Sequence, residues 1–362
     1  MWTRVERQGY RIGGAAERLL RGVVGSEEEQ AGLYVLRDGD GGADGERTGR
    51  AVMAESELES LAEALGPRVH RDVSLAVFTS MRVGGPADLL IVAENVAEIS
   101  RAVQLARERE IPCRVLGGGS NVLIADRGLR GLVIINRAAS TSFDVGTVRA
   151  ESGAKLSVLA RSAVDAGLAG LAWAVGLPGT VGGALVGNAG AFGGDIASVL
   201  SSASLLNPNG DVVERAAKWF EFTYRGSRLK RNAKRRTREA IGTLGPVALE
   251  VEFQLQPGDV EALKSRADEV IQKRRAGQPC GPTMGSTFKN PPDDYAARLI
   301  EEVGLKGYRV GGARISQQHA NFIVNLGDAT AVEVLALIEH AQAQVERLCG
   351  VSLEPEIELL GW

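Results

Sequence analysis

Three short stretches hold side chains able to do chemistry. In GSTFKNP, Ser286 lies between the small residues Gly285 and Thr287, with Lys289 and Asn290 following. A hydroxyl there can hand a proton to a developing carbanion if its neighbours make proton loss tolerable, and Lys289 is the nearest cation in sequence. No G-x-S-x-G turn surrounds it, so a hydrolase reading is weak, and taken alone such a residue is more often an ordinary turn serine. Upstream, FTYRGSRLKRNAKRRTR holds eight basic residues between Arg225 and Arg238. Such a run reads as a solvated face or an RNA contact. Tyr224 and Arg225 precede it in apolar surroundings, and the arginine fork suits a carboxylate or phosphate. Near the C-terminus, LEPEIELL predicts a strand over 352–359 with Glu354, Glu356 and Glu358 on one face, leaving Leu353, Ile357 and Leu359 for the core.

Two further stretches offer backbone rather than side chains. LGGGSNVLIAD brings Gly117, Gly118 and Gly119 together, followed by Ser120 and Asn121. Consecutive glycines let N–H groups approach a ligand closely, which suits a diphosphate. Val122 rules out a G-x-G-x-x-G fingerprint, and no Gly-Lys-Ser/Thr follows to make a P-loop. The second stretch, GLPGTVGGALVGNAGAFGGD (176–195), spaces Gly179, Thr180, Gly182, Gly183 and Gly190 around the fixed points Pro178 and Asn188. It reads as a flat backbone surface against which a large planar ligand can lie. Ten glycines between Gly167 and Gly194, with Pro178 among them, make it a poor membrane helix. Two glycine-rich loops favour a dinucleotide, which needs one surface for its phosphates and another for its ring.

The elements around these stretches alternate. From Leu89 the chain predicts a strand (LLIVA), a helix over 95–109, strands on either side of the glycine triplet, and a strand at 131–136. A helix over 154–166 and strands near 199–206 and 247–255 follow. The charged helix DVEALKSRADEVIQKRR opens a last part with helix 293–303, strand 321–325 and helix 331–348, where Thr330 and Glu333 fit a capping box. Clustered strands and helices point to α+β architecture. A length of 362 residues allows two or three domains, and a formal net charge of −3 argues against a nucleic-acid-coating protein. The cysteines Cys113, Cys280 and Cys349 lie far apart, and there are only three histidines, so reduced thiols and no metal centre are expected. The N-terminus has no apolar core of signal-peptide length. Residues 1–52 read as a disordered or spurious extension, with Met53 as an alternative start.

In this order, TSMRVGGPADLLIV, LGGGSNVLIAD, GLPGTVGGALVGNAGAFGGD, YRGSRLK, GSTFKNP, AARLIEEVGLKGYRVGGARISQQHANFIVN and GVSLEPEIELLG are similar to the UDP-N-acetylenolpyruvylglucosamine reductases, over roughly residues 75–361. The resemblance implies a two-part FAD-binding (PCMH/vanillyl-alcohol-oxidase-like) domain, with subdomains at 53–137 and 138–256, plus a C-terminal α+β substrate-binding domain at 257–362. It implies non-covalent FAD, NADPH as hydride donor, a UDP-sugar enolpyruvyl ether as substrate, and a cytoplasmic monomer with no nucleic-acid, membrane or metal partner. The family's catalytic residues fall on Arg225, Ser286 and Glu356. Its cofactor contacts fall on Gly117–Asn121, Pro178–Thr180, Gly182, Gly183, Asn188 and Gly190. Its substrate contacts fall on Tyr224, Lys289, Asn290 and His319. The segment between Arg225 and Ser286 is short and lacks a further tyrosine, like the subtype without an extra tyrosine-bearing loop. Phe192, Ala172-Trp173 and Met81 depart from the family's usual Tyr, Glu-Phe and aromatic residues. Two other readings stay open: a flavoprotein oxidase of the same fold, and a non-catalytic RNA- or nucleotide-binding protein.

Overall fold

The run PADLLIVA is apolar on both faces, which a strand inside a sheet requires. Pro86–Ala93 forms that strand. It pairs antiparallel with His70–Ser74 and parallel with Leu129–Asn136, which pairs in turn with Cys113–Leu116. The helix Val96–Glu108 makes the crossover. Asn95 caps it by accepting from the Glu98 N–H, and Ile99, Ala102, Val103 and Ala106 face the sheet. The computed structural model describes residues 55–232 and 245–362. The expected extension at 1–52, Met53 and the end of the basic run lie outside the described residues.

A second sheet is antiparallel, in the order Val212–Ala216, Leu200–Leu206, Val247–Gln254, Thr147–Glu151, Thr141–Asp144. Leu156, Leu159, Ala160, Ala163 and Val164 on the helix Leu156–Asp165 pack into its core. The helix Val260–Gly277 sends Ala267 and Val270 into the same core. Most of its charged positions are exposed, while Lys264 and Arg274 are half-buried. By packing, the helix with which the C-terminal part opens at 257 leans on the middle sheet.

The third sheet joins Thr283–Ser286, Phe322–Asn325, Ala313–Ile315 and Arg309–Val310, all antiparallel. The helices Ala296–Glu302 and Ala331–Cys349 build its core with it, together with Met81, Val83 and Leu123 from the first part of the chain. The Thr330–Glu333 capping box forms. The Asp126 carboxylate also accepts from the N–H groups of Ala331 and Val332, and Asn325 donates to the Met81 carbonyl. Sequence-distant segments are thereby tied across the sheets.

Two expectations about local structure need correction. The strand expected over 352–359 is only Glu358–Leu360, parallel to Val122–Ile124. Pro355 lacks an N–H, so the ladder cannot run through it. Leu353 and Ile357 are buried as expected, but Leu359 is 41% exposed and Leu360 takes the core position instead. The glycine-rich surface 176–195 is not all irregular. Val181–Gly187 is helical, capped by the Thr180 side chain and ended by Asn188 in the left-handed region at φ +45°.

Candidate active site

The glycine triplet ends the strand Cys113–Leu116 and faces the Pro178–Thr180 turn. A Cβ on Gly118 would come within 2.9 Å of the Gly179 Cα, and one on Gly117 would overlap the Thr180 hydroxyl. Gly119 stands at φ +58°, and a Cβ there would overlap the Phe78 carbonyl oxygen. Only glycine lets these loops close on each other. Between them and the third sheet lies a cavity of about 950 Å³.

Gly117, Gly118, Gly119, Ser120, Asn121, Pro178, Gly179, Thr180, Gly182, Gly183 and Gly190 all line it, as do Arg225, Ser286 and Glu356. Asn188 does not. It is buried, its amide donating to the Thr223 carbonyl (3.1 Å) and accepting from the Ala197 N–H (3.0 Å). It shapes the loop rather than the cavity wall. Tyr224, Lys289 and Asn290 line a second cavity of about 800 Å³, and His319 lines neither. The His319 imidazole stacks edge-on against Phe322, and burial lowers its pKa. Lys289, the expected neighbour of Ser286, instead places its ammonium 2.7 Å from Glu354.

The three chemical side chains arrive from separate elements. Ser286 ends the strand Thr283–Ser286. Arg225 stands at the tip of a tight turn closed by reciprocal Thr223–Gly226 backbone bonds of 3.0 Å. Its φ is +54°, a conformation that costs a side-chain-bearing residue strain. The guanidinium lies over the Tyr224 ring, with its Nε 2.8 Å from Glu356 Oε1. The N–H is out of line for a hydrogen bond, so the contact is an ion pair. Glu356 hangs from the irregular segment before the final strand. Burial raises its pKa, and the cations Arg225, Lys230 and Lys289 only partly offset that shift.

The wall fits a dinucleotide. Among the described residues none accepts a hydrogen bond from the backbone N–H of Gly118, Gly119, Ser120 or Asn121. A Cβ on Gly187, also in the wall, would meet no protein atom within 4 Å. Arg114, Arg225, Lys230, Arg274 and Arg275 outnumber Glu356 and Glu358 around the cavity, which favours an anionic ligand. These are the backbone donors and charges that a diphosphate and a flat ring would use. Sequence reasoning missed Lys230 and Arg274. Lys230 is one cation among several in YRGSRLK with no local mark of burial, and Arg274 sits in a charged helix that only tertiary packing brings beside Gly176. It also placed no thiol in this wall, which Cys280 joins. Phe192, Ala172, Trp173 and Met81, where the chain departs from the expected pattern, are not among the lining residues.

A two-part α+β framework closing glycine loops around a dinucleotide-sized cavity defines an FAD-binding oxidoreductase. A family model described as an FAD binding domain matches residues 87–215, and one described as the UDP-N-acetylenolpyruvoylglucosamine reductase C-terminal domain matches 276–360. A UDP-N-acetylenolpyruvoylglucosamine reductase from Symbiobacterium thermophilum is 44% identical over 85% of this chain and 97% of its own length. One from a Synechococcus strain is 43% identical over 81% and 94%. The crystal structure of the reductase from Thermus caldophilus superposes with a TM-score of 0.68 at 37% identity, covering 81% of this chain and 99% of that one. The chain belongs to the UDP-N-acetylenolpyruvoylglucosamine reductase family.

Proposed function

We propose that this chain reduces the enolpyruvyl ether of UDP-N-acetylglucosamine to the lactyl ether of UDP-N-acetylmuramate, a step of peptidoglycan precursor synthesis, with NADPH as reductant. The observation carrying this reading is that Ser286, Arg225 and Glu356, from three distant segments, line one glycine-walled cavity. The triplet 117–119 and the 178–183 segment would hold FAD, and that cofactor would supply the hydride relay from NADPH to the vinyl group. Hydride addition at the terminal vinyl carbon puts negative charge on the carbon beside the substrate carboxylate. Arg225 offers a cation to that charge as it develops. Ser286 gives its proton to that carbon, completing the saturated ether. Burial favours the protonated form of Glu356, and in that form its carboxyl would donate to the substrate carboxylate.

Tyr224, Lys289 and Asn290, in the adjoining cavity, hold the nucleotide-sugar, since Tyr224 stacks directly on Arg225 and so links the two spaces. In this division 53–137 and 138–256 grip the cofactor and 257–362 the substrate, with the helix Val260–Gly277 joining them. Among the described residues no helix is long and apolar enough to cross a membrane, and the cysteines are unpaired. Free thiols suit a reducing compartment such as the cytoplasm. Anaerobic stopped-flow absorbance tests the reading: NADPH should bleach the flavin and the enolpyruvyl sugar nucleotide should restore its colour. Restoration by neither that substrate nor a close analogue would end it, and bleaching by a sugar alcohol without NADPH would favour an oxidase.

A further inference from the structure

Lys230 is the only charged side chain in the buried class among the described residues, at 5% exposure. Burying an ammonium costs several kcal/mol unless partners compensate. Its Nζ donates to the Glu356 backbone carbonyl at 3.1 Å and lies 4.0 Å from the Glu358 carboxylate. The backbone beneath it is anchored as well. The Ser227 hydroxyl, fully buried, donates to the Val186 carbonyl (2.7 Å) and accepts from the Lys230 N–H (3.2 Å).

The same Glu356 carbonyl takes a second bond from the Asn121 side-chain amide at 3.3 Å. On its other side, the Glu356 N–H donates to the carbonyl of Thr287, the residue after Ser286, at 2.9 Å. The peptide of Glu356 is thus held between the glycine loop, the buried lysine and the strand end that carries Ser286.

We propose that Lys230 is a positioning residue of the reduction: its ammonium fixes the Glu356 peptide so that the carboxyl meets Arg225 in the cavity beside Ser286. The inference rests on the reading of Glu356 given above. It has an electrostatic corollary. The charged groups facing Glu356 are Arg225, Lys230 and Lys289, with Glu354 and Glu358 beside it on its own segment and Lys289 paired to Glu354. Removing the Lys230 charge withdraws one cation that favours the carboxylate. Glu356 then keeps its proton to higher pH. A variant without the charge should therefore move the descending limb of the substrate step upward in pH, while the loosened peptide slows that step.

The test uses the FAD-loaded enzyme and its two half-reactions, measured separately across pH. In Lys230→Met, flavin reduction by NADPH, normalised to bound FAD, should slow much less than the substrate step. Reoxidation by the enolpyruvyl sugar nucleotide should slow by about 10- to 100-fold, the scale of an ångström-size misplacement. Its descending limb should shift to higher pH. Lys230→Gln keeps a donor for the Glu356 carbonyl without the charge, so it should recover part of the rate and keep the shifted limb. It also serves if the methionine variant does not fold. An unmoved limb in the folded variant, or equal slowing of both half-reactions in proportion to lost FAD, overturns the inference. If wild-type flavin is not reoxidised by that substrate, the functional reading falls first and Lys230 with it.

Discussion

The two walls of the cavity are built in opposite ways. The cradle of Gly117–Asn121 and Pro178–Gly183 presents backbone, and Gly117, Gly118, Gly119 and Gly182 are required by close protein contacts before any ligand arrives. The corner of Arg225, Ser286 and Glu356 presents side chains delivered by a turn, a strand end and an irregular segment. A backbone cradle tolerates almost no added atoms but needs no titratable group. The charged corner tolerates backbone variation poorly for another reason: its chemistry depends on one proton and one ion pair. On the proposed reading, the first wall sets whether a cofactor is held, and the second sets whether a held cofactor does anything.

Substitutions should therefore separate binding from chemistry. The largest effect expected is at Ser286. Ser286→Ala should keep FAD and its reduction by NADPH, while reoxidation by substrate falls by about 10²–10⁴, the usual worth of a positioned proton donor. Equal rates for both half-reactions in the variant and wild type would remove the serine from the mechanism. Next, Glu356→Gln should lower substrate-step turnover by about 100-fold, the lower end of that range. It should also flatten the pH limb that Glu356 produces. For the wild type the sign is set by burial, which raises this carboxyl's pKa. On the proposed reading the protonated form is the active one and is lost as pH rises through the raised value, so turnover should decline above the ordinary carboxylate value of about 4.3. The same shift means that Glu356 favours folding at low pH and withdraws that contribution as pH rises through its folded-state value.

The cradle should respond in stability and cofactor affinity instead. Gly119→Ala places a Cβ against the Phe78 carbonyl oxygen at a positive φ. It should cost about 1–3 kcal/mol, as overpacking does, together with flavin affinity. Gly187→Ala meets open space, so thermal unfolding of the apo-protein should change little while flavin titration weakens. If both alanines lose stability equally, the cavity wall is packing and nothing more. The smallest effect is expected at Asp126→Asn. It removes the charge that faces the first N–H groups of the helix Ala331–Cys349 and should cost about 0.3–1 kcal/mol in denaturant unfolding.

Much of this architecture was legible in the chain. The apolar spacing of Ile99, Val103 and Ala106, the Thr330–Glu333 box and the apolar run at 131–136 each carry their own local reason, and the structure places elements there. The helix Val181–Gly187 was not legible, because its glycines disfavour helix and only the Thr180 cap and surrounding contacts override them. The end of the chain misled by one residue. Alternation predicts a core position at Leu359, but Pro355 delays the strand until Glu358, and Leu360 turns inward.

The sequence by itself determined which residue types could react, where glycine must stand and how most elements run, since these follow from local sterics and periodicity. Tertiary structure alone decided that Arg225 would pair with Glu356, that Lys289 would turn to Glu354, and that Lys230 would be buried behind the catalytic peptide. Such pairings depend on distance and desolvation between segments tens to hundreds of residues apart, and no local pattern encodes either quantity.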